Sequence, residues 1–249
     1  MTKLDDLVGY ADPQRLLGKG GFGTVHRVTI KGDASGAEFA LKRFRGSAEP
    51  DIKESADLEH KALANLETLI AQYHQTRAVI ENAWTGHRNL LCALKVISDD
   101  EKVLNEPRRA DAILFPLCTG NLSKLIDLFA AHADAQPLRD EDVMLIALET
   151  LQAVCLLQSG TPSWIHRDIS LNNLLFHERE GSRRIVLADF GLCRPCDATD
   201  ERYTAWIRSS EAHCPPEAET SVDDGTGKCF VNIGPAVDVW SAHARSHCC

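Results

Sequence analysis

The sequence lacks a long hydrophobic run and a cluster of basic residues, and both absences restrict what the protein can do. No stretch is apolar enough to cross a bilayer, and residues 1–6 lack the apolar core of a signal peptide. We therefore expect an intracellular protein, cytoplasmic or nuclear. The 27 basic residues are scattered among 36 acidic ones, and the formal net charge is −9. This charge pattern argues against binding to nucleic acid or to a membrane surface.

The cysteines also lack any regular spacing. The chain has nine of them, and an odd number in an intracellular setting favours reduced thiols over a disulfide framework. Cys193 and Cys196 have the two-residue gap of a zinc knuckle, but no second close pair of Cys or His completes four ligands. Two loop thiols are therefore the preferred interpretation, and zinc is the alternative.

The remaining composition suits a globular protein. With 249 residues, 44% of them hydrophobic, the chain can bury a substantial core and form one large domain or two lobes. Residues 51–75 follow a helical pattern, whereas residues 90–97 and 112–117 are apolar runs that predict two antiparallel strands.

A glycine-rich stretch near the N-terminus predicts a strand, a turn and a second strand. Gly18, Gly20 and Gly23 leave no side chains between the backbone and a bound phosphate. A dinucleotide-binding loop requires a helix directly after the glycines and an acidic residue about 20 positions on. Residues 25–30 read as a strand instead, so the dinucleotide interpretation is disfavoured. In the next strand, residues 38–44, alternation places Ala40 and Lys42 on one face.

An apolar segment in the second half of the chain leads into a compact set of polar side chains. Asp140 is the expected N-cap of a helix that is apolar nearly all round and is therefore expected to be buried. This helix leads into residues 164–173. There Asp168 and Asn173, five residues apart, could present a carboxylate and an amide oxygen together, the spacing that phosphoryl transfer uses. The alternative is a polar turn after a helix.

The glycine loop, Lys42, Asp168, Asn173 and Asp189, taken in this order, resemble the protein kinases. The resemblance implies an α+β, bilobal, protein-kinase-like fold. Its N-lobe, residues 1–117, would hold a small antiparallel sheet and one helix, with an extended helix or insertion near 71–86. Its mainly helical C-lobe, residues 118–249, would be incomplete, because the family's later helices are expected to be absent after the start of the central helix.

The family also implies a role for each matching residue. Lys42 would orient the α- and β-phosphates of ATP and pair with Glu59, with Glu54 and Glu67 as alternatives. Asp168 would act as the base. Asn173 and Asp189 would hold Mg²⁺. The residues expected to contact ATP besides Lys42 are Leu17, Gly18, Gly20, Gly21, Phe22, Gly23, Val25, Ala40, Phe115, Pro116, Cys118 and Leu175. Those expected to have structural or regulatory roles are Glu59, His166, Arg167, Phe190, Gly191, Ser210, Glu217 and Asp238.

The sequence also departs from the family pattern. Ser170 stands in the catalytic loop where serine/threonine kinases usually have a lysine, and a hydroxyl cannot replace that charge. Ser210, counted back from Glu217, favours serine/threonine specificity over tyrosine. Residues 242–249 are polar where the central helix should be apolar, so the resemblance covers about residues 16–241. Apolar surface normally covered by later helices is expected to be exposed.

Two functions remain open from the sequence. The first is an ATP-dependent, Mg²⁺-dependent protein kinase that phosphorylates serine or threonine hydroxyls of a protein substrate of unknown identity. The second is a catalytically silent, ATP-binding or interaction module derived from a kinase.

Overall fold

The chain divides into two compact units, which are described separately. The computed structural model describes residues 6–9, 12–44, 50–77, 89–97, 112–131, 138–179, 182–196, 203–204, 222–223, 229–231 and 235–246. The first unit comprises Met1–Glu67 and Leu91–Cys118, and the second comprises Thr68–Leu90 and Thr119–Cys249. The predicted α+β class is confirmed, because strands and helices are both present in quantity and the first unit is built on an antiparallel sheet.

The sheet of the first unit contains, among the described residues, six antiparallel strands. They are β1 Leu7–Val8, β2 Leu16–Lys19, β3 Gly23–Ile30, β4 Glu38–Phe44, β5 Lys95–Ile97 and β6 Ala112–Pro116. The order is β1-β3-β4-β6-β5, and β2 also pairs with β3. Alternation along these strands buries one face, whose core side chains are Leu7, Val28, Leu41, Ile97, Ala112 and Leu114. The predicted strand over residues 90–97 begins only at Lys95.

The helix α1, Pro50–Arg77, confirms the predicted helix and extends it by a residue or two at each end. Glu59, Ala62, Leu63 and Leu66 are buried, and their spacing of three and four residues places them on one helical face. This face therefore includes one carboxylate among apolar side chains.

In the described residues, the second unit contains the last part of α1, residues 68–77, and three further helices, α2 Leu122–Ala131, α3 Asp140–Gln158 and α4 Ala236–Ser246. Its strands are β7 Gly120–Asn121, β8 Ser163–Ile165, β9 Leu174–Arg179, β10 Ser182–Leu187, β11 Arg194–Cys196, β12 Tyr203–Thr204, β13 Val222–Asp223 and β14 Cys229–Val231. They form three small antiparallel sheets, in the orders β10-β9-β7, β11-β8 and β12-β14-β13. No helix in the described part of the chain has the length and apolar character needed to cross a membrane.

Two predictions about α3 are wrong. The N-cap is Arg139, not Asp140, because the Asp142 carboxylate reaches back and accepts the Arg139 backbone N–H (3.3 Å) and Nε–H (3.0 Å). Nor is the helix buried all round. One face packs against β8, β10 and α4, but four side chains of the other face are 37–70% exposed, those of Met144, Leu145, Leu148 and Leu151.

Candidate active site

The glycine loop between β2 and β3 borders open space. The Gly20 N–H donates to the Gly23 carbonyl (2.9 Å) and closes the turn. A Cβ atom built on Gly18, Gly20 or Gly21 would meet no heavy atom within 4 Å. Because no side chain stands over these backbone amides, a phosphate could approach them closely. The space beside these three glycines can therefore admit a phosphate group.

Gly23 is required for a different reason. It begins β3, and a Cβ atom there would overlap the Arg43 carbonyl oxygen of β4 and lie 3.0 Å from the Arg43 carbonyl carbon. The close approach of two backbones at this point excludes any side chain. The sheet by itself thus explains the third glycine of the motif.

Replacing Gly23 with alanine should therefore lower the free energy of unfolding by about 1–3 kcal/mol, because β3 and β4 must separate to admit the methyl group. The matched Gly20→Ala change should alter stability by no more than about 0.5 kcal/mol, while weakening ATP binding. Thermal unfolding with and without ATP measures both effects. Equal loss of stability in the two variants would contradict this division of roles.

Lys42 of β4 and Glu59 of α1 form a buried ion pair. The distance between Lys42 Nζ and Glu59 Oε2 is 2.6 Å, and the side chains are 10% and 0% exposed. Alternation along β4 places Lys42 beside Ala40 on one face, and Lys42 Nζ also lies 5.6 Å from the centre of the Phe44 ring. Glu67, one of the alternative partners, is exposed. The side chain of Glu54 lies outside the described residues.

Replacing Lys42 with methionine should leave the Glu59 carboxylate buried without its cation, at a cost of about 3–5 kcal/mol in the free energy of unfolding. Lys61→Met, at an exposed position of α1, is the matched control and should change stability by no more than about 0.5 kcal/mol. Adding Glu59→Leu to Lys42→Met should restore much of the loss, since an apolar pair replaces the unpaired charge. Denaturant unfolding of Lys42→Met, Glu59→Leu and the double variant measures the coupling energy between the two side chains. A double variant whose loss equals the sum of the single losses would contradict it.

The other residues predicted to contact the nucleotide lie on or beside the sheet, with one exception. Ala40 pairs with Phe115, and Phe39 pairs with Pro116, across β4 and β6. Phe115 is buried, whereas Leu17, Phe22, Val25, Ala40, Pro116 and Cys118 are partly exposed. Burial raises the pKa of the Cys118 thiol to about 12, so it stays protonated at neutral pH. The exception is Leu175, on β9 of the second unit, where it pairs with Asn121 and Val186.

The loop after β8 holds Asp168 and Asn173 together. Asn173 Nδ2 donates to the Asp168 carboxylate Oδ2 (2.8 Å) and to the Asp168 carbonyl (2.9 Å). The Ser170 carbonyl accepts the backbone N–H groups of Asn173 (2.8 Å) and Leu174 (3.1 Å), which closes the turn between them. Because the Asn173 amide nitrogen makes these bonds, its Oδ1 is the atom suited to ligate a cation.

Asp189 follows β10 in a left-handed backbone conformation. Its φ is +66°, and the Gly191 N–H donates to its Oδ1 (3.3 Å). Arg167, in the loop before Asp168, has φ +69°. Such a conformation costs a non-glycine residue about 1–3 kcal/mol and persists only where the surroundings impose it. The Ala188 N–H donates to the Asn173 carbonyl (2.9 Å), so the backbones of the two segments are joined directly beside Asp189.

His166 and Phe190 pack inside the second unit. Both are fully buried, with ring centroids 5.4 Å apart in an edge-to-face arrangement. His166 Nδ1 accepts the Asp168 N–H (3.3 Å), so the ring proton is on Nε2, which lies 3.2 Å from the Ala188 carbonyl oxygen. One imidazole thus connects the two polar segments.

Asp238 supports the same loop from α4. Its buried carboxylate accepts the backbone N–H groups of His166 (2.7 Å) and Arg167 (2.8 Å). Burial raises the pKa of Asp238 to about 6, and the two backbone N–H groups oppose that rise. Gln158, at the end of α3, donates to the Pro235 carbonyl (2.9 Å) and lies 3.5 Å from Asp238. Gln158 had no predicted role; its only sequence signal is a polar side chain at the end of an apolar helix.

Asp189 and Asn173 carry oxygen donors of the kind that Mg²⁺ takes when it is bound together with phosphate. Mg²⁺ is usually held by one or two protein carboxylates together with substrate phosphates and water. Asp189 and Asn173 supply a carboxylate and an amide oxygen. In the described residues, no group of three or more His, Cys, Asp or Glu side chains could hold a metal ion. Cys193 and Cys196 therefore belong to no such group there. The donors therefore fit Mg²⁺ bound with a nucleotide.

A family model of the protein kinase domain matches residues 12–244. The match spans nearly the whole chain. It includes the Lys42–Glu59 ion pair, the loop that holds Asp168 and Asn173, and Asp189. The chain belongs to the protein kinase family. The predicted family is therefore confirmed, as is the kinase-like fold.

The kinase domain is similar to several serine/threonine kinases. Two relatives from Arabidopsis thaliana are a probable LRR receptor-like serine/threonine-protein kinase, 28% identical over 197 residues, and calmodulin-binding receptor-like cytoplasmic kinase 2, 28% identical over 213 residues. The matches cover 78% and 84% of this chain but 18% and 44% of those proteins. A meiosis-specific serine/threonine-protein kinase of Saccharomyces cerevisiae is 34% identical over 94 residues, 36% of this chain and 18% of that protein. The chain thus spans less than half the length of each relative.

Two predicted residues of the kinase domain, Ser210 and Glu217, lie outside the described residues. The others fall into two groups. In the first unit are the glycine loop, the Lys42–Glu59 pair and the strand residues around Ala40. In the second unit, hydrogen bonds and ring contacts connect Asp168, Asn173, His166, Phe190 and Asp238, and Asp189 is adjacent.

Proposed function

We propose that this chain is an ATP-dependent serine/threonine protein kinase, acting inside the cell on protein hydroxyl groups. The observation that carries the proposal is the bond from Asn173 Nδ2 to the Asp168 carboxylate (2.8 Å). A base must be held within hydrogen-bonding reach of its proton, and this bond orients the carboxylate at the end of a fixed turn. Membership of the family supports the reaction class, and the names of the relatives support the serine/threonine specificity.

The residues would divide the work of phosphoryl transfer as follows. The amides of residues 18–23 bind the phosphates, and Lys42, kept charged and extended by Glu59, orients them. Asp168 accepts the hydrogen bond of the substrate hydroxyl and then its proton. The hydroxyl oxygen forms the new bond to the γ-phosphorus as the bond to the β-phosphate oxygen breaks. Positioning and charge stabilisation supply most of the acceleration in this chemistry.

Mg²⁺ would be held by Asp189 and Asn173. When bound with ATP it neutralises negative charge on the phosphate oxygens. The left-handed conformation of Asp189 and its bond from the Gly191 N–H fix the side chain that would hold the ion.

Two observations favour a second candidate, a catalytically silent ATP-binding or interaction module. Ser170 supplies no positive charge where the family usually has a lysine. The exposed apolar side chains of α3, with Met144 70% exposed, resemble a surface for a partner more than a solvated helix face.

Transfer of labelled γ-phosphate from ATP to a generic protein substrate, followed by identification of the phosphorylated amino acid, separates the two candidates. The kinase should yield phosphoserine or phosphothreonine in the presence of Mg²⁺. ATP-dependent thermal stabilisation without any transfer would overturn the catalytic proposal and leave the silent module.

A further inference from the structure

Glu149 is a buried carboxylate of α3 that the proposed reaction does not use. It is 6% exposed. Its Oε2 accepts the backbone N–H of Ile185 in β10 (2.7 Å), and its Oε1 lies 3.6 Å from Arg184 Nη1. A carboxylate is costly to bury unless hydrogen bonds and an opposite charge compensate it. Both oxygens of Glu149 are compensated by consecutive residues of one strand.

Asn89 binds the other backbone group of the same residue. Its side chain is fully buried, and its Nδ2 donates to the Ile185 carbonyl (2.9 Å). The next residue, Leu90, forms a parallel bridge with Leu187 at the end of β10. Asn89 thus attaches a separate segment of the chain to the strand.

Glu149 and Asn89 bind the backbone of a strand at the edge of a sheet. In the order β10-β9-β7, β10 pairs with β9 on one side, and no other strand of the described residues lies along its other side. The N–H and C=O of Ile185 are both bound by side chains, so this edge residue carries no unpaired backbone group. The hydrogen bonds of Glu149 and Asn89 therefore fix the position of β10 along the edge opposite β9.

The position of β10 determines that of Asp189, which follows Ile185 by four residues. The Ala188 N–H is bound to Asn173 at the same end of the strand. Asp189 has a positive φ, which the surrounding structure must impose. Glu149, Asn89 and Asn173 are therefore among the residues whose contacts fix the chain just before Asp189, together with His166 at the Ala188 carbonyl.

We propose that Glu149 and Asn89 are positioning residues that bind both backbone groups of Ile185 and thereby place Asp189 to hold Mg²⁺ with ATP. This inference rests on the proposed function.

The test compares two substitutions at Glu149. Glu149→Ala removes the acceptor of the Ile185 N–H, and misplacement of Asp189 should lower kcat on the order of 10- to 100-fold and raise the Mg²⁺ concentration needed for half-maximal rate. Glu149→Gln keeps an amide oxygen that can accept the same bond, and should restore most of the rate and the parent Mg²⁺ requirement. Asn89→Ala, at the other contact, should change both quantities in the same direction as Glu149→Ala.

Leu157→Ala is the control for lost stability. Leu157 is fully buried in the same helix, so its truncation destabilises the unit without removing a bond to Ile185. All variants are assayed well below the lowest unfolding temperature. An unchanged Mg²⁺ requirement in Glu149→Ala and Asn89→Ala, or the same increase in Leu157→Ala, would overturn the inference.

The two proposals fail in different ways. If the parent transfers phosphate and the Glu149 and Asn89 variants keep its Mg²⁺ requirement, only the positioning role is wrong. If the parent binds ATP more tightly with Mg²⁺ but transfers no phosphate, the catalytic proposal is wrong, and the Mg²⁺-dependent part of binding in the same variants still decides the positioning role. A parent whose nucleotide binding does not respond to Mg²⁺ overturns both.

Discussion

Replacing Asp168 with asparagine should lower the rate of phosphoryl transfer by about 10²- to 10⁴-fold, the contribution of a positioned base. The substitution leaves an amide oxygen that can still accept the bond from Asn173 Nδ2, so the turn should keep its shape. It removes the group proposed to take the proton of the substrate hydroxyl. Initial rates of labelled phosphate transfer at saturating ATP measure the effect.

The control for this loss is binding. ATP should raise the unfolding temperature of Asp168→Asn as much as that of the parent, since the nucleotide contacts proposed for the glycine loop, Lys42 and Asp189 are intact. Asp127→Asn makes the same chemical change at an exposed position of α2 and should keep the parent rate. An Asp168→Asn protein as fast as the parent would remove Asp168 from the reaction.

Replacing Asp238 with alanine should cause a large loss of stability, about 2–6 kcal/mol in the free energy of unfolding. The change removes the carboxylate that accepts the buried N–H group of His166 and the partly buried N–H group of Arg167, and each lost acceptor costs about 1–3 kcal/mol. A loss of this size is a large part of the total stability of an ordinary domain, about 5–15 kcal/mol. Urea unfolding monitored by fluorescence measures it.

Asp238→Asn is a second variant for the same test, because its amide oxygen can accept a hydrogen bond from one of the two N–H groups. It should lie between the parent and the alanine variant in stability. If alanine and asparagine at position 238 both cost less than about 1 kcal/mol, the carboxylate does not support the loop in the manner its hydrogen bonds indicate.

The same carboxylate should make stability depend on pH. The pKa of Asp238 is about 6 in the folded protein against 3.8 for the ordinary group, chiefly because of burial. Between these values the folded state holds a proton that the unfolded state has lost, so stability from this group falls as pH rises from about 4 to about 6. The difference in unfolding free energy between the parent and Asp238→Asn should fall over that interval and stay constant above it. A difference that rises over that interval would contradict the raised pKa.

Local spacing predicts the parts of this molecule that depend on neighbouring residues. Asp168 and Asn173 lie within one turn, and the structure joins them by hydrogen bonds. The glycine hairpin and α1 likewise follow from alternation and helical periodicity, with boundaries displaced by a residue or two. Family order then assigned roles to Lys42 and Asp189 that spacing alone could not assign.

Periodicity was less informative about α3. An apolar pattern nearly all round the helix predicted a buried helix, but Met144 and Leu148 are exposed while Glu149 is buried. The sequence pattern shows which side chains are apolar. Burial depends instead on which faces of the helix pack against another element. Glu149 interrupts the apolar pattern of the sequence, but the pattern does not show which residue its carboxylate contacts.

The sequence by itself determined the family, the α+β class and which residues are proposed to carry phosphoryl transfer, because each of these depends on residue type, order and short spacing. Only the tertiary structure decided which buried groups hold those residues in place. Glu149 is 36 residues from Ile185, Asp238 is 72 from His166, and Asn89 is 96 from Ile185. These contacts satisfy backbone groups that become buried only when distant segments pack, so no local pattern could have predicted them.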